Sequence, residues 1–217
     1  MSTDYEDLMR VIRGRRSVRS FLPDPVNRDV IEKLIEAARW APSASNRQPY
    51  RFFAITARDL LDRMAEAVLQ ETRRLLSELR MDAMDDADRY LASFAHFRSA
   101  PLVFAPIYRE GFDLLSASME ERSSDTSQQA LLDAHASVCA ATMNLLLAAH
   151  ALGLGTCWMT GPLVAARPLS KILEVPQGWK LAALIPVGHP GETPEAPPRK
   201  SIDRLWKTVG PAVDGEG

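Results

Sequence analysis

Three short clusters in this 217-residue sequence carry groups suited to gripping a ligand. The first is Arg15-Arg16-Ser17-Val18-Arg19, directly after a helical pattern. Guanidinium groups stay charged and offer paired donors that match phosphate oxygens. The same residues also suit a solvated helix end, where cations complement the dipole of the last turn. The second is Ala41-Pro42-Ser43-Ala44-Ser45-Asn46-Arg47-Gln48-Pro49, a loop bracketed by prolines. Asn46 and Gln48 each present donors and acceptors, which the carbonyl and N–H edge of a heterocycle requires. An ordinary polar loop has the same composition. The third is Gly153-Leu154-Gly155-Thr156-Cys157-Trp158-Met159-Thr160-Gly161-Pro162. A strand ending in Thr-Gly exposes backbone amides without side-chain crowding, as a flat ligand needs. Its glycines do not follow the GxGxxG spacing of a phosphate-binding turn.

Helices and strands must bring these clusters together. Thr3 with Glu6 three residues on reads as a capping box, and Tyr5, Leu8, Met9 and Ile12 then form one apolar face that Gly14 ends. Asn27 caps a second helix with Val30, Ile31, Leu34, Ile35 and Ala38 at helical spacing, stopped by Pro42. Residues 51–56 read as a strand, 59–80 and 85–98 as charged helical stretches, and 102–108 as a second strand. Residues 111–126 have little regular pattern. A long helix over 127–152 is apolar around most of its circumference, which places it centrally. Residues 156–159 and 181–187 read as strands and 168–175 as a short helix. The tail carries Arg199-Lys200 and a Leu205-Trp206 anchor. The expected architecture is α+β, one domain over 1–217 with a helical excursion at about 59–126.

Composition narrows the function classes. A formal net charge of -2 with intermixed signs argues against a nucleic-acid partner. Cys139 and Cys157 are far apart and, with His96, His135, His150 and His189, form no metal motif. Cys157 has no histidine beside it in sequence and reads as strand packing rather than a nucleophile. The opening MSTDYEDLMRVIRGRR lacks the apolar region of a secretory signal. The apolar run at 136–154 is broken by Asn144 and His150, so no membrane span is expected. A cytoplasmic location is the expectation.

The order of the motifs is more telling than any one of them. Arg-Arg-Ser-x-Arg, Pro-Ser-x-x-Asn-x-Gln-Pro, the apolar helix, Gly-Leu-Gly-Thr, Gly188-His189-Pro190 and Pro198-Arg199-Lys200 follow one another. From about Asp7 to Trp206 this resembles the FMN-dependent nitroreductase family. The resemblance implies an α+β homodimer with a mainly antiparallel sheet and FMN at the subunit interface. It implies that Arg15, Arg16 and Ser17 meet the FMN phosphate and ribityl chain, and that Arg199 and Lys200 join them at the phosphate. Arg19 would face the pyrimidine end, where reduced flavin carries negative charge. Pro42, Ser43, Ser45 and Asn46 would come from the partner subunit, supported by Gln48. Thr160 and Gly161 would present backbone near flavin N5, with Trp158 and Met159 beside the ring.

The implied activity is ping-pong transfer of electrons from NADH or NADPH to a small electron-poor acceptor, a nitroaromatic or a quinone. No side chain would act as general acid or base. Two departures stand out: Tyr50 where tryptophan is frequent, and Thr160 where some bacterial members have glutamate. The charged stretch 59–98 is similar to the flavin domain attached to some enzymes of deazaflavin biosynthesis. The alternatives left open are dehalogenation, dehydrogenation, flavin fragmentation, and flavin or deazaflavin binding with little turnover.

Overall fold

The computed structural model describes residues 2–80, 92–109 and 124–210, with side chains given from 130 onward in the last stretch. The expected helix over 85–98 lies partly outside the described residues, and most of the stretch 111–126 lies outside them. Among the described residues five strands form one antiparallel sheet: β1 (Tyr50–Ile55), β2 (Leu102–Arg109), β3 (Gly155–Thr156), β4 (Trp179–Leu181) and β5 (Ile185–Gly188). The path runs β1-β2-β5-β3, and β4 also pairs with β2. The helices are α1 (Thr3–Gly14), α2 (Arg28–Arg39), α3 (Arg58–Glu78), α4 (Ser124–Ala151) and α5 (Ala166–Ile172). The α+β expectation therefore holds.

β2 is the spine because its residues are apolar on both faces. Leu102 and Phe104 face one core with α2 and α4, built on Leu34, Ala38, Leu145 and Ala149. Val103, Ala105 and Ile107 face the other, against Leu61, Met64, Val68 and Leu169 of α3 and α5. The period-two alternation of a strand thus divides the molecule into layers. α4 touches α1, α2, β1, β2 and β3, which explains its lack of a single polar face. Its segment Ala130–Ala151 is long and apolar enough to cross a membrane by length and composition. Here Ala141, Leu145 and Ala149 are fully buried against the sheet and α2.

Pro106 marks an irregularity in the sheet. It lies within β2 opposite Phe52 of β1, and proline has no N–H for a ladder. The other neighbour of β2 breaks opposite it: Ile185 pairs with Phe104, Leu181 pairs with Ile107, and the chain between them bulges. The expected single strand over 181–187 is therefore two. Within the bulge, Leu184 exchanges both backbone bonds with Met159, at 3.0 and 2.9 Å. The expected strand over 156–159 is accordingly a two-residue strand plus this isolated bridge.

Helix ends follow local chemistry with one correction. Asn27 caps α2 through Oδ1, which accepts from Val30 N at 3.1 Å. α1 is capped by Ser2, not Thr3: Ser2 is extended and its Oγ accepts from Tyr5 N at 3.3 Å, while Thr3 is already helical. The expected apolar face of α1 buries nothing, and Tyr5, Leu8 and Ile12 are exposed. α4 ends at Gly153, whose φ of 77° lets Leu154 N reach Ala149 O, a Schellman closure that favours glycine. Leu205 and Trp206 do not anchor the tail here, being 66% and 65% exposed.

Phe104→Ala should destabilise the fold by about 3–5 kcal/mol, the usual cost of emptying a buried aromatic site. Urea denaturation checks this, with an unchanged slope and a lowered midpoint expected.

Candidate active site

After α1 the chain turns extended at Arg15, whose φ and ψ are -59° and 133°. Residues 17–22 then run between two neighbours. On one side Val18 N donates to Thr156 O of β3 at 2.9 Å. On the other, Leu22 N donates to His189 O and Gly191 N to Ser20 O, both at 2.9 Å. Extended geometry alternates side chains, so Val18 goes inward, 5% exposed, leaving Ser17 and Arg19 on the opposite side. Gly155 permits this approach, because a Cβ there would stand 2.8 Å from Val18 Cβ. Glu192 Oε1 accepts from Arg19 N at 2.6 Å and from Ser20 N at 3.1 Å.

Two hollows meet at Arg19. The cationic one, about 250 Å³, is lined by Arg15, Arg16, Ser17, Arg19 and Arg199 with Glu195 and prolines. The other, also about 250 Å³, is lined by Arg19, Cys157, Trp158, Met159, Thr160 and Gly161, with Phe94 and His96 across from them. None of these arginines forms an ion pair among the described residues. Their side-chain bonds go to nearby carbonyls instead: Arg16 to Arg13 and Arg15, Arg19 to Ser17, Arg199 to Pro197. A cluster of guanidiniums held this way keeps spare donors for an anion.

The remaining expected site residues are placed elsewhere. Pro42, Ser43, Ser45, Asn46 and Gln48 line neither hollow. Their loop contacts α4. Ser45, Asn46 and Gln48 have φ of 51°, 52° and 47°, a conformation that costs non-glycine residues energy and marks functional loops. The loop is tied by Gln48 N donating to Ser43 Oγ at 2.9 Å and Gln48 Nε2 to Asn46 Oδ1 at 3.0 Å. Lys200 is exposed and lines neither hollow. Phe94, His96, Glu192 and Glu195 were not among the expected site residues. Phe94 and His96 sit in a stretch readable only as charged helix. Glu192 had a signal, a carboxylate two residues after Gly188-His189-Pro190.

Burial pushes the Cys157 thiol up, with Arg19, the Ser17 hydroxyl and Arg15 pulling the other way. A raised thiol is a poor nucleophile, in keeping with Cys157 in the α3–α5 core. Burial holds His96 below the ordinary histidine value, the Ser93 carbonyl opposes this, and Arg19 and Glu192 act with opposite signs. His96 Nδ1 lies 2.8 Å from Ser93 O, so Nδ1 carries the proton and Nε2 is an acceptor. Among the described residues Nε2 is buried without a hydrogen-bond partner, as is Thr156 Oγ1. Phe94 crowds the end of the Trp158 hollow, since a Cβ on Gly161 would stand 1.9 Å from its ring.

Residues 12–189 match the model of the nitroreductase family. The chain belongs to that family. Among its relatives, a 5,6-dimethylbenzimidazole synthase of Rhodospirillum rubrum is 27% identical, the match covering 95% of this chain and 92% of that protein. A Bacillus subtilis protein, YfhC, provisionally named an NAD(P)H nitroreductase, is 26% identical over 90% of each chain. A BluB-like flavoprotein of Clostridium difficile has a solved structure with a TM-score of 0.80 at 25% identity, covering 94% of this chain and 99% of its own. Nitroreductase-family relatives thus carry names of two different activities. Glu192, Arg199 and Lys200 lie beyond the matched residues.

His96 and His150 are both lowered chiefly by burial, and Arg15 and Arg16 add to the effect at His150. The unfolded chain therefore protonates first as pH falls, and stability is lost on the acid side of the ordinary histidine value of about 6.5. The urea midpoint should drop from pH 7.5 to 5.5, and His96→Gln should flatten that slope.

Proposed function

We propose that this chain binds FMN across the paired hollows and passes electrons from NADH or NADPH to a small electron-poor acceptor, a nitroaromatic or a quinone. The observation that carries this is Arg19, the common wall of a cationic hollow and of one lined by Phe94, Trp158, Met159 and Thr160. FMN has that polarity: a dianionic phosphate at one end and a planar ring at the other. The residues present fit it. Arg15, Arg16, Ser17 and Arg199 would hold the phosphate end, and Trp158, Met159, Thr160 and Gly161 the ring. When bound, FMN supplies hydride acceptance and donation at N5. The chain's own part is electrostatic and steric. Arg19 would hold a fixed positive charge beside the ring, which favours the reduced form. Gly161 has no side chain, and the Phe94 ring packs into the space one would take. The buried wall of Cys157 and Met159 excludes water from one side.

The working unit is a homodimer in this reading. Ser43, Ser45, Asn46 and Gln48 line neither hollow of their own chain, so a second copy would bring them to the ring. Tyr5, Leu8 and Ile12 on α1, Trp40, and Ile202, Leu205, Trp206 and Val209 in the tail are exposed. The i, i+3, i+7 spacing of Tyr5, Leu8 and Ile12 puts those three on one helix face, which a second copy would cover.

A second reading is favoured by the relatives named 5,6-dimethylbenzimidazole synthase, at 27% and 29% identity. There the flavin itself would be consumed. One set of measurements separates the two. The absorption spectrum and extracted mass of the purified protein's cofactor test for FMN against a deazaflavin. Oxidation of NADH or NADPH with a nitroaromatic or quinone supports the first reading. Oxygen uptake without an added acceptor, with loss of flavin absorbance, supports the second. A colourless protein that takes up no FMN ends both.

Arg15→Ala should purify folded but pale. Deleting a buried charged partner costs about 2–5 kcal/mol, and about 1.4 kcal/mol is tenfold. FMN affinity should therefore fall by about 30-fold or more by fluorescence titration. Light scattering at micromolar concentration should give twice the 24.0 kDa chain mass. A monomer that retains FMN would contradict the dimer.

A further inference from the structure

Residues 17–22 change partners halfway along. Val18 is bonded to β3 and Leu22 to His189. At the crossing, the amides of Arg19 and Ser20 have no backbone acceptor among the described residues. Backbone donors left so cost free energy unless something reaches them. Glu192, 173 residues from Arg19, does so: a single oxygen, Oε1, takes both amides. Its neighbour Gly191 returns a bond to Ser20 O, and a Cβ on Gly191 would stand 2.9 Å from Ser20 Oγ. The two segments are thus locked at closest approach where Arg19 departs toward the hollows.

The carboxylate is spent on backbone and not on the guanidinium. Among the described residues no ion pair joins Glu192 to Arg19, so Arg19 keeps donors for a ligand. The charge is felt nonetheless. Glu192 and Arg19 act with opposite signs on both His96 and Cys157, which line the Trp158 hollow.

We propose that Glu192 is a positioning residue of the FMN site: it clamps the backbone that carries Arg19, and its charge tempers the positive field of that guanidinium on the ring. This rests on the FMN reading above. A neutral amide oxygen can accept the same two bonds, so glutamine separates clamp from charge.

The test uses Glu192→Ala and Glu192→Gln in the full chain. Hydrogen exchange on protein freed of flavin reads the clamp directly. In Glu192→Ala the amides of Arg19 and Ser20 should exchange faster, and FMN should bind about tenfold more weakly. Glu192→Gln should restore both, with affinity within about threefold of wild type or tighter, yet shift the midpoint potential of bound flavin to more positive values. Unchanged exchange at Arg19 and Ser20 in Glu192→Ala overturns the clamp, as does failure of glutamine to rescue. A wild-type midpoint in Glu192→Gln overturns the charge effect. If alanine prevents folding, the glutamine variant decides alone through exchange and potential. Wild-type protein that binds no FMN ends the functional reading instead, and exchange still judges the clamp.

Discussion

Backbone hydrogen bonds on both sides of residues 17–22 hold the site together. Thr156 O takes the amide of Val18 on one side, and His189 O takes that of Leu22 on the other. Everything chemical hangs from this captured segment. Its inward Val18 needs the bare backbone of Gly155, and its outward Ser17 and Arg19 meet the walls built by residues 157–161. Those walls depend in turn on β5. Residues 155–159 lie along 184–188 in a single antiparallel register, from Gly155 opposite Gly188 to Met159 opposite Leu184. That pairing carries the chain to Trp158, Thr160 and Gly161.

Much of the scaffold was legible because its signals are local. Asn27 as a cap, Gly153 as a stop, and the helical spacing of Leu34 and Ala38 each act within a few residues. The site was legible only as pieces. The basic run, the proline-bracketed loop and the Gly-Thr strand could each be bland, and only their order pointed to a family. What stayed hidden was long-range. The break opposite Pro106 depends on a strand pairing some eighty residues away in sequence, on the register shown. Glu192 matters through amides 172 and 173 residues earlier. The cap moved from Thr3 to Ser2 because both are good caps and the backbone selects one.

The family match and the individual names answer different questions. Residues 12–189 establish the fold lineage, and relatives at 26–29% identity carry the names of a nitroreductase and of a synthase. A fold that leaves the chemistry to a bound group can change its reaction by small changes in the walls. Phe94 and His96 are such wall residues here, contributed by the stretch just before β2.

The closure between residue 19 and residue 192 also bears on how the protein is made. Loop closure over so long a span costs entropy that only the finished cores can offset. During synthesis the two cores around β2 can begin to assemble while the ribosome is still adding the later strands. The ligand site cannot, since its arginines stay untethered until β3 and the stretch after β5 have both emerged. The cleft therefore closes only after residues 185–192 have emerged, and a chain stalled near residue 180 would also lack the share of both cores that Leu184, Ile185 and Val187 supply.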